Sequence, residues 1–272
     1  MNYRHAYHAG NFADVFKHAV LALVIDYLKQ KPAPFRVIDT HAGVGVYDLA
    51  GVEAGKTGEW QGGIGRLPRE LPIEIAQLLA PYLSVVRQTN GYPGSPEIAR
   101  CLMRAGDVLV LNELHPADFA QLVARYAQDA HVTLLNLDAW IAVKALLPPP
   151  ERRGLVLIDP AYEDKDEFAK LTYALAAALR RFATGTFLLW YPVKDMGPVT
   201  AFHAGLNLPK ALRLELYSRA PDTPERLNGC GILAINPPFT LETKMRTLLP
   251  FLAQQFTNGP GPGWLVERKG PQ

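Results

Sequence analysis

Short runs of aliphatic and β-branched residues alternate along this chain with longer segments in which apolar positions recur every three or four residues. The first kind suits strands buried on both faces of a sheet, and the second suits helices that cover those faces. The spacing predicts a helix over 12–29, capped by Asn11, and strands over 35–39, 107–112, 131–137, 154–158, 185–191, 211–218 and 230–235. Helical periodicity fills 96–105, 116–128, 139–146, 164–181, 196–204 and 240–255. Seven strands with interleaved helices predict a doubly wound, mostly parallel α/β sheet with right-handed crossovers. Between the last two strands there is no helical pattern, only 218–228 with two prolines, so the final strand is expected to return antiparallel as a hairpin. Glycines at 55, 58, 62, 63 and 65 and a single helical pattern at 73–83 set residues 48–94 apart. They read as a small helical subdomain inserted into a domain made of 1–47 and 95–258. The glycine- and proline-rich tail, 259–272, is expected to be flexible.

The sharpest chemical signal is where the apolar run Leu155-Val156-Leu157-Ile158 stops at Asp159-Pro160-Ala161-Tyr162. Pro160 cannot continue a ladder, so the acid and the aromatic are left at the carboxyl end of a strand, the end at which open α/β sheets bind ligands. Such a cluster suits methyl transfer to an exocyclic amine, whose lone pair is delocalised into the ring. Asp159 and the Pro160 carbonyl could accept its hydrogens while Tyr162 stacks on the base. An ordinary strand-to-helix turn with a capping acid would use the same residues. A second strand, Phe35 to Asp39, is followed by a turn containing Gly43 and Gly45, which suits a nucleotide; Asp39 would orient the loop or take a ligand amine. Glu113 closes the run Val108-Leu109-Val110-Leu111-Asn112, where a carboxylate can grip a ribose diol. It follows Gly45 by 68 residues (113 − 45), against roughly 20 in a plain dinucleotide fold, so an insertion must intervene.

Taken in order, Asp39-x-x-x-Gly43-x-Gly45, Glu113 and Asp159-Pro160-x-Tyr162 follow the pattern of S-adenosylmethionine-dependent methyltransferases acting on adenine N6. The chain resembles the ribosomal RNA large subunit methyltransferase J family through Tyr3-Arg4-His5, His8-Ala9-Gly10-Asn11, Lys17-His18 and Asp39-Thr40-His41-Ala42-Gly43. Further matches are Tyr92-Pro93-Gly94-Ser95-Pro96, Glu113-Leu114-His115-Pro116, Leu189-Trp190-Tyr191-Pro192 and Ile235-Asn236-Pro237-Pro238. The resemblance implies a Rossmann-like class I fold and methylation of one adenine of 23S ribosomal RNA, adenine 2030. It also implies donor contacts from His18, His41, Ser95, Glu113 and Asp138, catalysis by Asp159, and an RNA contact from Tyr3. Two residues depart from the family pattern: Ala161 replaces a second proline, and Ala139 replaces a glycine after Asp138. Ala161 loosens the loop without removing either proposed acceptor; Ala139 adds a methyl group beside the donor's adenine and is harmless if φ stays negative there. Two other classes fit parts of the pattern. A catalytically silent RNA-binding protein would keep the fold, with Ala161 as its mark. A nicotinamide oxidoreductase would share the sheet but has no use for the acid-proline-aromatic cluster.

Composition narrows this further. A net charge of +2 over 272 residues excludes a protein that coats nucleic acid indiscriminately, so any RNA-binding surface must be local. Arg4, Lys17, Lys29, Lys31, Arg152 and Arg153 are the basic candidates. Tyr3, Arg4, His5 and His8 with Lys17 suit a segment that orders over RNA and closes the donor pocket. Metal binding by His5 and His8 is disfavoured by the lack of an accompanying cysteine or carboxylate cluster, and no metal is expected. His131 and His203 are expected at the surface. Cys101 and Cys230 lack disulfide or zinc spacing, and the first twenty residues form no apolar run, so a cytoplasmic monomer without a membrane anchor is expected. Asn236-Pro237-Pro238-Phe239 fits the adenine motif better than 159–162 does. If its strand is antiparallel, however, it ends at the wrong edge of the sheet, and methyl transfer spans only about 3 Å.

Overall fold

The computed structural model describes residues 4–208, 210–222, 224–259, 261 and 263–270; Tyr3 lies outside them. Asn11 accepts the Asp14 amide at 3.0 Å and starts α1 (Phe12–Lys29), and prolines 32 and 34 lie beyond its end. There follow β1 (Arg36–Asp39), β2 (Val46–Tyr47), α2 (Val52–Thr57), α3 (Ile73–Gln88), β3 (Tyr92–Pro93) and α4 (Ser95–Leu102). Next come β4 (Val108–Asn112), α5 (Pro116–Tyr126), β5 (Val132–Leu135), α6 (Ala139–Leu146), β6 (Gly154–Ile158), α7 (Glu167–Arg181), β7 (Thr186–Val193) and α8 (Met196–Ala204). The chain closes with β8 (Ala211–Tyr217), β9 (Gly229–Ile235), α9 (Leu241–Phe256) and β10 (Trp264–Lys269).

One sheet runs in the order β10-β8-β9-β7-β6-β1-β4-β5. β5, β4, β1, β6 and β7 are parallel; β9 returns antiparallel between β7 and β8, as the missing helix required. The sheet differs from expectation in having eight strands. The segment expected to be a flexible tail supplies the eighth, β10, paired antiparallel to β8 from Trp264 opposite Leu216 to Lys269 opposite Ala211. Val266 is buried, so this strand covers an edge that β8 would otherwise expose.

Alternate residues of each central strand enter opposite cores. Leu155 and Leu157 pack with α1, α3, α4, α5 and α9 on one face, while Val156 and Ile158 pack with α6, α7 and α8 on the other. Residues 48–94 carry α2 and α3, and β2 and β3 pair across their base. His203 is buried, against expectation: its Nε2 lies 2.9 Å from the Tyr191 hydroxyl beside Glu215 and Arg213. Arg153 is no surface cation for RNA. Its guanidinium donates to the Leu28 and Ala33 carbonyls and stacks on Phe35, near the amino end of β1 and away from Asp159. Among the described residues, no helix is long and apolar enough to cross a membrane, and no three histidine, cysteine or acidic groups could share a metal ion.

Candidate active site

Because β1, β4, β6 and β7 are parallel, their carboxyl ends meet at one edge and bring Asp39, Glu113, Asp159 and Lys194 together there. A cavity of about 960 Å³ opens at this edge, roomy enough for a nucleoside-sized donor with an acceptor base beside it. Its lining includes His18, His41, Gly43, Ser95, Glu113, Asp138, Ala139, Asp159, Pro160 and Tyr162.

The turn after β1 is shaped by the chain itself. Gly43 and Gly45 adopt φ of +62° and +87°, and an added Cβ would fall 2.3 Å from the Tyr47 hydroxyl or 2.4 Å from that of Tyr126. Gly45 therefore packs on Tyr126 and does not reach the cavity. Asp39 is also absent from the wall. It is buried beneath, its Oδ1 accepting the His41 amide at 3.3 Å, its Oδ2 buried with no hydrogen-bond partner. Burial, with a smaller push from Asp159, raises its carboxyl from 3.8 to about 7; Ser95, the His41 amide and Lys17 oppose.

Glu113 is held at both oxygens, Oε2 by the Gly43 amide at 2.8 Å and Oε1 by the His115 amide at 2.7 Å. Each oxygen keeps a further lone pair for a ligand hydroxyl. Burial raises its carboxyl despite these amides. Asp138 caps α6, its Oδ1 accepting the Trp140 and Ile141 amides at 2.9 and 3.1 Å. Ala139 opens that helix without positive φ, so the extra methyl group introduces no backbone strain.

Asp159 faces the cavity from the end of β6. Lys17 Nζ donates to its Oδ2 at 2.6 Å and also pairs with Asp14 Oδ1 at 3.0 Å, and the Asp159 amide donates to His41 Nδ1 at 3.4 Å. Tyr162 takes a left-handed φ of 52°, its hydroxyl donating to the Trp190 carbonyl at 2.9 Å and its ring packing on Phe168 and edge-on to Trp190. The loop is thus fixed by Tyr162 without a proline at 161. His18 is buried and His41 half-buried, and desolvation lowers their pKa values to about 3 and about 4 and keeps the rings neutral.

The amino-terminal segment lies against this wall. Arg4 pairs with Asp118 at 3.5 Å, His5 Nε2 with Asp14 Oδ2 at 2.9 Å, and His8 Nδ1 with Glu59 Oε1 at 3.0 Å. His5, His8 and Lys17 line the cavity; Arg4 reaches it only through Asp118. Sequence reasoning missed Asp14, which is buried and joins His5, Lys17 and the Gly10 amide. Its carboxyl stays well below the usual value: burial opposes ionisation, and His5, Lys17 and His18 together outweigh it. As an acid in a first helical turn it resembles any other residue favouring the helix dipole, and no local signal marks it. Glu59, Trp190, Arg219 and Arg226 were missed likewise. Asn236 lies at the opposite edge because β9 is antiparallel, and its side-chain amide donates to the Ala183 and Gly185 carbonyls.

A family model described as ribosomal RNA large subunit methyltransferase D, RlmJ, matches residues 32–267. Proteins named ribosomal RNA large subunit methyltransferase J from Haemophilus influenzae and Escherichia coli are each 42% identical to this chain. The first match covers 100% of both chains, and the second covers 93% of this chain and 92% of the relative. A crystal structure of a Legionella pneumophila protein, 35% identical, superposes with a TM-score of 0.84 over 97% of this chain and 98% of that one. The chain therefore belongs to the ribosomal RNA large subunit methyltransferase J family.

Proposed function

We propose that this protein transfers the methyl group of S-adenosylmethionine to N6 of a single adenine in 23S ribosomal RNA. The observation that carries this reading is the placement of Asp159 and Pro160 on the same cavity wall system as Glu113 and the Gly43 turn. One cavity would thus hold both an amine activator and a nucleoside-binding carboxylate. The residues present suit the donor. Glu113 would take the ribose hydroxyls, Asp39, buried beneath the wall beside Ser95, would meet the ammonium once the Gly43 turn shifts to admit it, and Asp138 with Ala139, His18, His41 and Ser95 would frame the remainder. When bound, S-adenosylmethionine supplies an electrophilic methyl group carried on a sulfonium.

Lys17 occupies Oδ2 of Asp159 and so leaves Oδ1 to the adenine amine, while the Pro160 carbonyl accepts its second hydrogen. Two acceptors on one nitrogen draw its lone pair out of conjugation and aim it at the methyl group. The donor would supply the methyl group and its sulfur would keep the electron pair of the broken bond, while the proton that N6 must lose would pass to Asp159. Tyr162, immobilised through Trp190, offers its face to the base, and the amino-terminal segment from Tyr3 to His8 closes over the RNA. A base that must enter a cavity has to be flipped out of its helix, which favours naked or early-assembly RNA as the substrate; the protein would act on it as a monomer in the cytoplasm.

The test is transfer of labelled methyl to a 23S fragment, with mass mapping of N6-methyladenine, for the wild type and Asp159→Ala. Methylation at one adenine, lost in the variant, is expected. RNA binding without any methyl transfer by the wild type would instead favour a silent RNA-binding protein.

A further inference from the structure

The 218–228 connection between β8 and β9 lies 60 residues from the catalytic acid in sequence (219 − 159), yet it reaches the same cavity. Topology explains this. β8 runs in the same direction as β7 because β9 is antiparallel to both, so the turn that follows β8 emerges at the edge where β6 delivers Asp159. That turn is anchored firmly. The Ser218 and Arg219 amides donate to the buried Asn228 carbonyl at 2.8 and 3.1 Å, and Asn228 donates in turn to the Val193 and Lys194 carbonyls at 3.0 and 2.8 Å. Arg219 and Lys194 are thereby held on one platform.

We propose that Arg219, supported by Arg226 and Lys194, binds an RNA phosphate next to the target nucleotide, so that the backbone crosses the cavity on the β7–β9 side. This rests on the function proposed above and adds the direction from which the RNA is held. The leading observation is Arg219 Nε: it is buried, lines the cavity with its residue, and has no hydrogen-bond acceptor. A buried guanidinium N–H without an acceptor is costly, and an anionic oxygen is the partner it fits best, since the planar fork matches phosphate geometry. Arg226 and Lys194 are exposed residues of the same cavity lining and add positive charge to it, with Glu225 beside Arg226.

The connection after β6, on the strand next to β7, carries the contrary charge. It presents Glu163, Asp164 and Glu167, and the one lysine among these wall residues, Lys170, is paired with Asp164 at 2.5 Å. A phosphodiester is repelled by those acids and attracted to Arg219, Arg226 and Lys194, which leaves the neutral base as the part that can approach Asp159. With a net charge of only +2, such a local asymmetry is the way this chain can orient RNA.

The experiment is fluorescence anisotropy of a labelled 23S RNA hairpin across a salt series, with donor affinity measured in parallel by calorimetry. Arg219→Ala is expected to weaken RNA binding about tenfold near 0.1 M salt and to lower the salt slope by about one, with donor affinity unchanged. Arg219→Lys should retain the slope and recover only part of the affinity, because it keeps the charge and loses the fork. Unchanged affinity and slope in Arg219→Ala would overturn the proposal. Should that variant fail to fold, the exposed pair Lys194→Ala with Arg226→Ala replaces it. A slope lower by about two supports the rim and an unaltered slope refutes it. A wild type that binds the hairpin with this rim but transfers no methyl group refutes the proposed function alone; one that binds no RNA refutes both.

Discussion

Asp39 makes donor binding depend on pH in a calculable way. Its carboxyl is buried under the Gly43 turn with Oδ2 unpartnered, and its pKa is raised to about 7. If the donor's ammonium pairs with that oxygen, only ionised Asp39 binds it. From a pKa of about 7, about one molecule in eleven is ready at pH 6 and about ten in eleven at pH 8. With a ligand whose ammonium stays charged throughout, affinity should therefore rise about tenfold between those limits and level above pH 8, where Asp39 is almost fully ionised. Binding at pH 7 should release about half a proton. S-adenosylhomocysteine is a suitable probe, because it keeps the amino acid moiety without the reactive methyl group, and calorimetry in buffers of different ionisation enthalpy counts the proton. The same carboxyl governs stability with a definite sign. The folded form keeps a proton that the unfolded chain has already lost, so the Asp39 contribution disappears as pH rises from 3.8 through about 7. The full effect is on the order of 4 kcal/mol. Asp39→Asn should remove this component of the stability profile and the pH dependence of ligand affinity together. A flat affinity from pH 6 to 8 with no proton release in the wild type would refute the pairing.

Asp159→Ala should abolish methyl transfer while donor affinity stays within a few-fold, since the acceptor acts chiefly as charge develops on the amine; an active variant would remove it from the mechanism. Asn236→Ala should leave turnover within a few-fold and cost about 1–3 kcal/mol in denaturant unfolding, through two lost bonds to Ala183 and Gly185 and a φ of 48° that alanine tolerates poorly. Glu113→Ala should weaken donor binding by about 1–3 kcal/mol, and calorimetry showing no change would exclude it from the site. Truncation after residue 262 should lower the melting temperature by several degrees and promote association through the uncovered edge of β8. A melting curve that matches the full-length protein would mean that β10 adds nothing.

Much of this molecule is decided by near neighbours in the chain. The run 155–158 is a strand because aliphatic residues fill both faces of a pleat, and it ends where Pro160 removes a donor, which by itself puts Asp159 at a ligand-binding edge. The absent helix between β8 and β9 reverses the last core strand, and that reversal alone carries Asn236 away from the site although its tetrapeptide is the better motif. Contacts between distant positions are another matter. The Lys17–Asp159 pair joins residues 142 positions apart, and the fit of Tyr126 against Gly45 or of β10 against β8 depends on how helices and strands settle on one another. Nothing local distinguishes Val266 in a glycine- and proline-rich tail, His203 on an ordinary helix, or Arg219 in a turn. Their burial is set by the space that tertiary packing leaves, and so is the desolvation that raises the pKa of Asp39 and leaves Arg219 Nε without an acceptor. Local pattern determined which groups reach the carboxyl edge of the sheet from the parallel strands; packing decided which of them are paired, which are buried, and where the charge on the cavity rim lies.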